Sequence, residues 1–427
     1  MIYIMRKIST VILLISILQP LLHGQSQYEL YFIQGNYEKI LNETKKFLNA
    51  EDYYWHSIAL ERMQELLTSI DILKEGLNNY PNSAILEKEL ARKYFQSGQF
   101  SACKGDLEKF SEDPEIFEML VKVLEYEDNN LQAVTLLRER LGSDSLNLKL
   151  LVRLADNLYQ IDSLDAALEI YTKISVLNPG DQLSLSKMAT IHLQKKRYNE
   201  AIDICNAILE ADSTNKKIIR IKGFASFRKG DFKNSIRSFK YLLDSGDSSF
   251  VTLKHLGISE SKSFVYHDSR KHLEMAFHLD SNDREICFFL GRGYLNSTEP
   301  EKGLYFLDRA DSLIQADPEI LAAIYLEKAS IFSTLQMYDE VLDIYLKALK
   351  INPRPDYLFS IASLYEHRFG EKKKAYEYYN RFLDSLPPRE ETDRPSLGFQ
   401  KEISMKKIAE EKVEALKEEL FFNGELD

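Results

Sequence analysis

The sequence predicts an all-α fold, a solenoid of antiparallel helix pairs closed by a C-terminal capping helix, and three observations carry that prediction. The first is a period. Small residues at Ala155, Ala189, Gly223, Gly257 and Gly291 each stand 34 positions after the last, and self-similarity at a fixed interval of this size marks a stacked repeat. The second is the pattern inside each period. Apolar residues recur at helical spacing in two runs, as in Leu151, Leu154 and Leu158 followed by Leu164, Leu168 and Tyr171. The third is size. A chain of 427 residues exceeds the ~250–300 residues at which single cores stop growing, and 44% hydrophobic residues is too many for a disordered one.

Taken from the N-terminus, residues 1–24 read as a secretory signal peptide. Arg6 and Lys7 precede an apolar run from Ile8 to Leu22, the order of a basic region and a short hydrophobic one. The run falls short of the ~20 residues a bilayer core needs, and Pro20 would disturb the end of a spanning helix. Export to the periplasm or the medium is therefore expected, with membrane contact only if the signal stays uncleaved. Gly35-Asn36-Tyr37 marks a turn between two helices, so 25–50 reads as an N-terminal partial repeat.

The solenoid itself is expected over 51–388. Extended outward, the leading small positions are Ser57, Ala91 and Val121 before the central five, then Ala329 and Ala362. A second series, twelve or thirteen residues behind the first, runs Ser69, Cys103, Ala133, Ala167, Ala201, Ser235, Ser269, Gly303, Val341 and Ala375. Two helices crossing at such a pair approach closely, and a larger side chain would hold their backbones apart. The turns carry polar or Gly residues (Ser97-Gly98, Ile161-Asp162, Lys229-Gly230), and Pro81, Pro114, Pro179, Pro318, Pro353 and Pro387 are expected to stop second helices. Three irregularities stand out. Ala91 to Val121 spans 30 residues, and Gly291 to Ala329 spans 38, with the addition near Leu313 to Pro318. One extra residue falls in the last inter-helix turn, between His367 and Lys373. Changes of about one helical turn preserve which face a helix presents, so a stack absorbs them. Beyond Leu386-Pro387-Pro388, a polar linker at 389–396 leads to an amphipathic helix over 397–427. Its stripe of Phe399, Ile403, Ala409, Val413, Leu416 and Leu420 suits a helix covering the open edge of the last repeat.

These residues resemble the tetratricopeptide repeat. Small residues at its eighth and twentieth positions, an aromatic between them (Phe100, Tyr198, Phe232, Tyr266, Tyr338) and a terminal Pro are all present from Ser57 to Pro388. The Trp usual early in the first helix is missing, since Trp55, the single Trp, lies off that position. The resemblance implies a right-handed superhelix whose first helices line a concave groove, and an activity of binding. It also implies that the second, fifth, ninth and twelfth positions face the ligand. Carried onto this chain they give Lys217, Arg220, Phe224, Phe227, Lys254, Phe288 and Arg292. The expected ligand is an extended acidic peptide or a chain terminus of a protein partner. Arg220, Lys254 and Arg292 would pair its carboxylates, and the phenylalanines would supply desolvated contact. A clamp for chaperone tails is not expected, because Lys88 is followed by Arg92, Arg220 by Phe224 and Lys254 by Ile258, where such clamps need Asn. The function read from this is a non-catalytic protein-interaction scaffold of the cell envelope; the alternative is a component of polysaccharide export or glycan-binding machinery, since aromatic grooves also stack sugars.

Other chemistries find little footing. With 55 Lys and Arg against 66 Asp and Glu the net charge is −11, which repels nucleic acid overall. Phosphate-binding loops, nucleophile elbows and zinc-protease motifs are missing from the sequence. Cys103, Cys205 and Cys287 fall at core positions of separate repeats and read as buried thiols. His255, His267, His272 and His278 crowd one repeat, but 267, 272 and 278 are separated by five and six, off the four-residue spacing of helical metal ligands. No cofactor, metal or catalytic residue is expected.

Overall fold

The computed structural model describes residues 27–142, 144–295, 297–313, 317–386 and 397–423. The expected signal peptide and linker, Pro387 and the side chain of Phe399 lie outside the described residues. Among those residues the regular structure is helical throughout, and the chain forms two compact units, Met1–Ser184 and Leu185–Asp427.

The first unit holds α1 (Gln27–Ile33), α2 (Tyr37–Thr44), α3 (Ala50–Arg62), α4 (Leu66–Asn79), α5 (Ala84–Gln96), α6 (Phe100–Lys109), α7 (Pro114–Tyr126), α8 (Asn130–Leu141), α9 (Leu148–Gln160) and α10 (Leu164–Leu177). The boundary falls inside α11 (Gln182–Gln194), which is followed by α12 (Tyr198–Ala211), α13 (Lys216–Lys229), α14 (Phe232–Asp244), α15 (Phe250–Lys262) and α16 (Tyr266–Leu279). The second unit then continues with α17 (Arg284–Tyr294), α18 (Pro300–Ser312), α19 (Pro318–Thr334), α20 (Tyr338–Ile351), α21 (Pro355–Leu364), α22 (Lys372–Ser385) and α23 (Leu397–Phe422).

Consecutive helices pair, and the small residues lie where they cross. Every member of both small series is buried. Ser269 Oγ donates to the carbonyl of Gly257 at 2.8 Å, so the two small positions of that pair touch directly. A Cβ added at Gly291 would come within 2.5 Å of Leu307 and 3.1 Å of the Gly303 carbonyl. Tight turns then need a left-handed residue: Gly98 and Gly230 supply it freely, while Asp162, Lys196 and Phe264 adopt the same positive φ with a side chain, at a cost of about 1 kcal/mol each.

The prolines divide into two roles, which corrects the sequence reading. Pro81, Pro179 and Pro353 follow the ends of α4, α10 and α20 as expected, but Pro114 and Pro318 open α7 and α19. The first helical position lacks an intrahelical use for its N–H, so Pro fits there without loss, and Asp113 and Asp317 cap the two helices from just before. The spacing irregularities resolve into single elements. The short period shortens α6 to 10 residues, and the long one lengthens α19 to 17. The extra residue near the last turn is taken up earlier than the sequence suggested, as a π turn at Tyr365–Phe369 ending on left-handed Gly370. Wider i→i+5 bonding is how a helix accommodates one additional residue.

α23 packs on α22 and closes the stack. Ala409, Leu416 and Leu420 are buried, and Met405 and Val413 join the same core as Tyr379 and Phe382. Ile403, expected in the stripe, is 50% exposed; Met405 takes the core-facing place instead.

Candidate functional site

The seven side chains read from the sequence all lie in the second unit, on α13, α15 and α17. Their immediate surroundings differ from the expectation in one respect: the three cations meant for a ligand are already paired. Arg220 Nη2 donates to Asp247 Oδ2 at 2.7 Å. Lys254 Nζ lies 2.7 Å from Asp283 Oδ2 and 2.6 Å from Glu285 Oε2. Arg292 Nε is 3.6 Å from Glu327 Oε1. Lys217 is different, being exposed with no hydrogen bond or ion pair to a described residue.

Each acid belongs to the next helix pair. Asp283 also accepts from Ile286 N at 3.0 Å and so caps α17, which places the Lys254 ammonium on a carboxylate that is starting a helix. Asp247 accepts from Thr252 Oγ1 at 2.6 Å and from Ser249 N at 3.2 Å. The first unit repeats the device: Lys88 reaches Asp113, the cap of α7, at 3.4 Å, and Arg92 reaches Glu115 at 2.9 Å. Lys88, Arg220 and Lys254 all occupy the fifth position of a first helix. A sequence signal for this existed, since an Asp immediately precedes α7 and α17, but it becomes visible only once neighbouring pairs stack.

The electrostatics follow from these contacts. Burial pushes the Asp247 carboxyl up, but hydrogen bonds from Thr252, Ser249 and Arg220 outweigh it and hold the group down at about 2. Burial alone would lower Lys254, and its two carboxylates reverse this and raise it. Glu327 is raised by burial, with Arg292 opposing only partly.

The phenylalanines divide as well. Phe224 and Phe227 make T-shaped contacts with the imidazole of His255, at centroid distances of 4.7 and 5.1 Å, and Phe239 stacks on it at 5.4 Å. His255 is thus an aromatic-packed residue, its Nδ1 bonded to the Val251 carbonyl at 2.8 Å and its pKa lowered by burial. Sequence reasoning missed it as the centre of this cluster. Phe288 is half-buried and lines a cleft of about 360 Å³ with Arg284, Glu285, Phe289, Glu319 and Ile320. Among the described residues, no cluster of three or more His, Cys, Asp or Glu could hold a metal. Cys103, Cys205 and Cys287 are buried and unpaired.

Comparison with known proteins adds a repeat assignment. A family model described as a tetratricopeptide repeat matches residues 322–355, and one described as ChAPs (Chs5p-Arf1p-binding proteins) matches residues 34–226. The BBSome complex member BBS4 of Bos taurus is 25% identical over 219 residues, 51% of this chain and 41% of that protein. The TPR repeat-containing protein MJ1428 of Methanocaldococcus jannaschii is 20% identical over 368 residues, 83% of this chain and 54% of that protein. The chain therefore spans about half the length of these curated relatives. Among solved structures, the Naa15/Naa10 complex bound to HypK-THB has a TM-score of 0.45 at 13% identity, covering 91% of this chain and 66% of that one. The 322–355 match is in phase with the small residues, for it sets Ala329 eighth and Val341 twentieth. Helix pairs of this period, closing on small residues at those two positions, are repeats of the tetratricopeptide kind, as the match at 322–355 describes them.

Proposed function

We propose that the chain is an exported scaffold of the cell envelope, periplasmic or secreted, that holds a protein or peptide segment along the first helices of its second unit. Tetratricopeptide repeats are in general non-catalytic scaffolds for protein partners. The observation that carries the finer reading is the cleft at Phe288, which unites a ring chosen from the repeat register with an accessible space of about 360 Å³. An aromatic side chain in such a cleft is the kind of anchor that dominates binding energy. Arg220, Lys254 and Arg292 are already paired with the protein's own acids, and Lys217 is the cation of the seven left to meet a carboxylate on the partner. Export rests on the basic and apolar order of residues 1–24.

The test is partner capture from an envelope extract by the wild-type chain, Phe288→Ala and Lys217→Glu, with helicity checked by circular dichroism. A partner lost with Phe288→Ala and weakened by both Lys217→Glu and high salt supports the reading. Capture that survives both substitutions removes it.

A further inference from the structure

We propose that a second site, beside the last helix pair, binds an acidic oligosaccharide. It is a cleft of about 690 Å³ lined from α19, α20, α21 and the π turn, and no carboxylate is among its lining residues. Three kinds of group in its lining each match one feature of such a ligand.

The first is hydroxyl. Serines 330, 333, 360 and 363 all line the cleft. Ser330 and Ser360 donate to the carbonyls four residues back, Leu326 at 3.0 Å and Asp356 at 2.9 Å, which leaves their lone pairs to accept from a ligand. The Ser333 hydroxyl has no hydrogen-bond partner among the described residues, so it can donate as well. A set of hydroxyls that both gives and accepts suits the hydroxyls of a sugar. An extended peptide is better held by the paired donor and acceptor of Asn or Gln side chains, and the lining contains neither.

The second is aromatic. Tyr345 and Phe359 are half-buried in the wall, and the apolar C–H face of a pyranose packs against the electron-rich face of such a ring.

The third is cationic. Arg368 stands exposed on the π turn, over the ring of Tyr338 at 4.4 Å, with no carboxylate partner among the described residues. That sets it apart from Arg220, Lys254 and Arg292. Stacking on Tyr338 steadies its planar fork, which can then meet a carboxylate with two parallel hydrogen bonds. The residue that distinguishes this pair from the others is absorbed in the turn that carries Arg368, and π turns recur at functional sites.

The experiment places the full chain, Arg368→Glu and Tyr345→Ala on arrays of acidic oligosaccharides, their neutral counterparts and acidic peptides. Circular dichroism confirms that each variant is folded, and Arg368 is exposed enough for its change to leave the core intact. The expected result is retention of acidic oligosaccharides, about ten-fold weaker for neutral ones, and lost with Arg368→Glu. Phe288→Ala should leave that retention unchanged, which separates this site from the peptide cleft. Retention indifferent to Arg368→Glu, a preference for neutral sugars, binding of acidic peptides alone, or no retention at all would overturn the proposal.

Discussion

Replacing Gly291 by Ala tests whether the small residues are there for steric reasons. The new methyl would sit 2.5 Å from Leu307 Cγ, 2.8 Å from its Cδ2 and 3.1 Å from the Gly303 carbonyl oxygen. The first obstacle is the branch point of a fully buried leucine and the last is backbone, so neither can swing aside cheaply. Overpacking of this kind costs about 1–3 kcal/mol. Against it stands a gain of about 1 kcal/mol from removing a helix-interior glycine. With the obstacles rigid, the net loss should fall near about 1–2 kcal/mol. Gly257→Ala meets Leu273 Cγ at 2.6 Å and should behave alike. At Gly223 the nearest atoms are Phe239 Cε2 and Ser238 Cβ at 3.1 Å, and a shift of a few tenths of an ångström relieves them. There the two terms should nearly cancel. Urea unfolding followed by circular dichroism reads the order directly, with Gly223→Ala close to wild type and the other two well below it. Adding Leu307→Ala to Gly291→Ala makes room for the methyl, so the double variant should lose less than the two single losses combined. If Gly291→Ala raises the midpoint, the close crossing is not what selects glycine at that position.

Other perturbations probe the charges and thiols. Lys93 is 1% exposed between Glu61 at 2.7 Å and buried Glu89 at 2.5 Å. Glu89 keeps Arg92 at 3.2 Å, so Lys93→Met should cost about 1–3 kcal/mol through the lost charge-assisted hydrogen bonds, and a loss under about 0.5 kcal/mol in urea unfolding would contradict that. Asp247 has a folded pKa near 2, below its ordinary 3.8. Its contribution is therefore present above the unfolded value and is lost as pH falls toward 2, and Asp247→Asn should flatten the acid limb of stability over that window. Burial pushes the Cys205 thiol up to about 12, and those of Cys103 and Cys287 to about 11. A soluble alkylating reagent should leave all three unmodified in the native chain and label them in denaturant; fast labelling of any one in the folded chain would show that its burial is breached.

What could be read in the sequence depended on how local its cause is. The crossing points were legible because a steric limit acts on the residue itself, and Gly257 and Ser269 announce their contact by size alone. The π turn was half legible: one residue too many is countable, but where the backbone stores it depends on how Tyr365 and Phe369 pack. The roles of Pro114 and Pro318 were misjudged because a proline that ends one helix and one that starts the next look alike without the Asp113 and Asp317 caps beside them. Arg220 and Lys254 were read as cations open to a ligand, and their pairing was not legible. Their acids lie 27 and 29 residues further on, and only the stacking of one pair on the next brings them together.

That pairing changes what the first helices can recognise. Ion pairs with partial exposure contribute little stability, typically about 0–1 kcal/mol, so the contacts from Arg220 to Asp247 and from Lys254 to Asp283 are weak reasons for the fold to stand. Their stronger consequence concerns ligands. A carboxylate arriving at Lys254 meets an ammonium already shared by Asp283 and Glu285, so it either adds to that cluster of negative charge or displaces one of the two and leaves it to be resolvated. The net electrostatic gain is small. Discrimination then passes to groups that are not already satisfied. Among the side chains discussed, these are the half-buried ring of Phe288, the exposed ammonium of Lys217 and the guanidinium of Arg368. The first two lie on α17 and α13 and the third on the π turn after α21, so the two sites proposed for this unit are where a ligand would gain something that the protein does not already provide for itself.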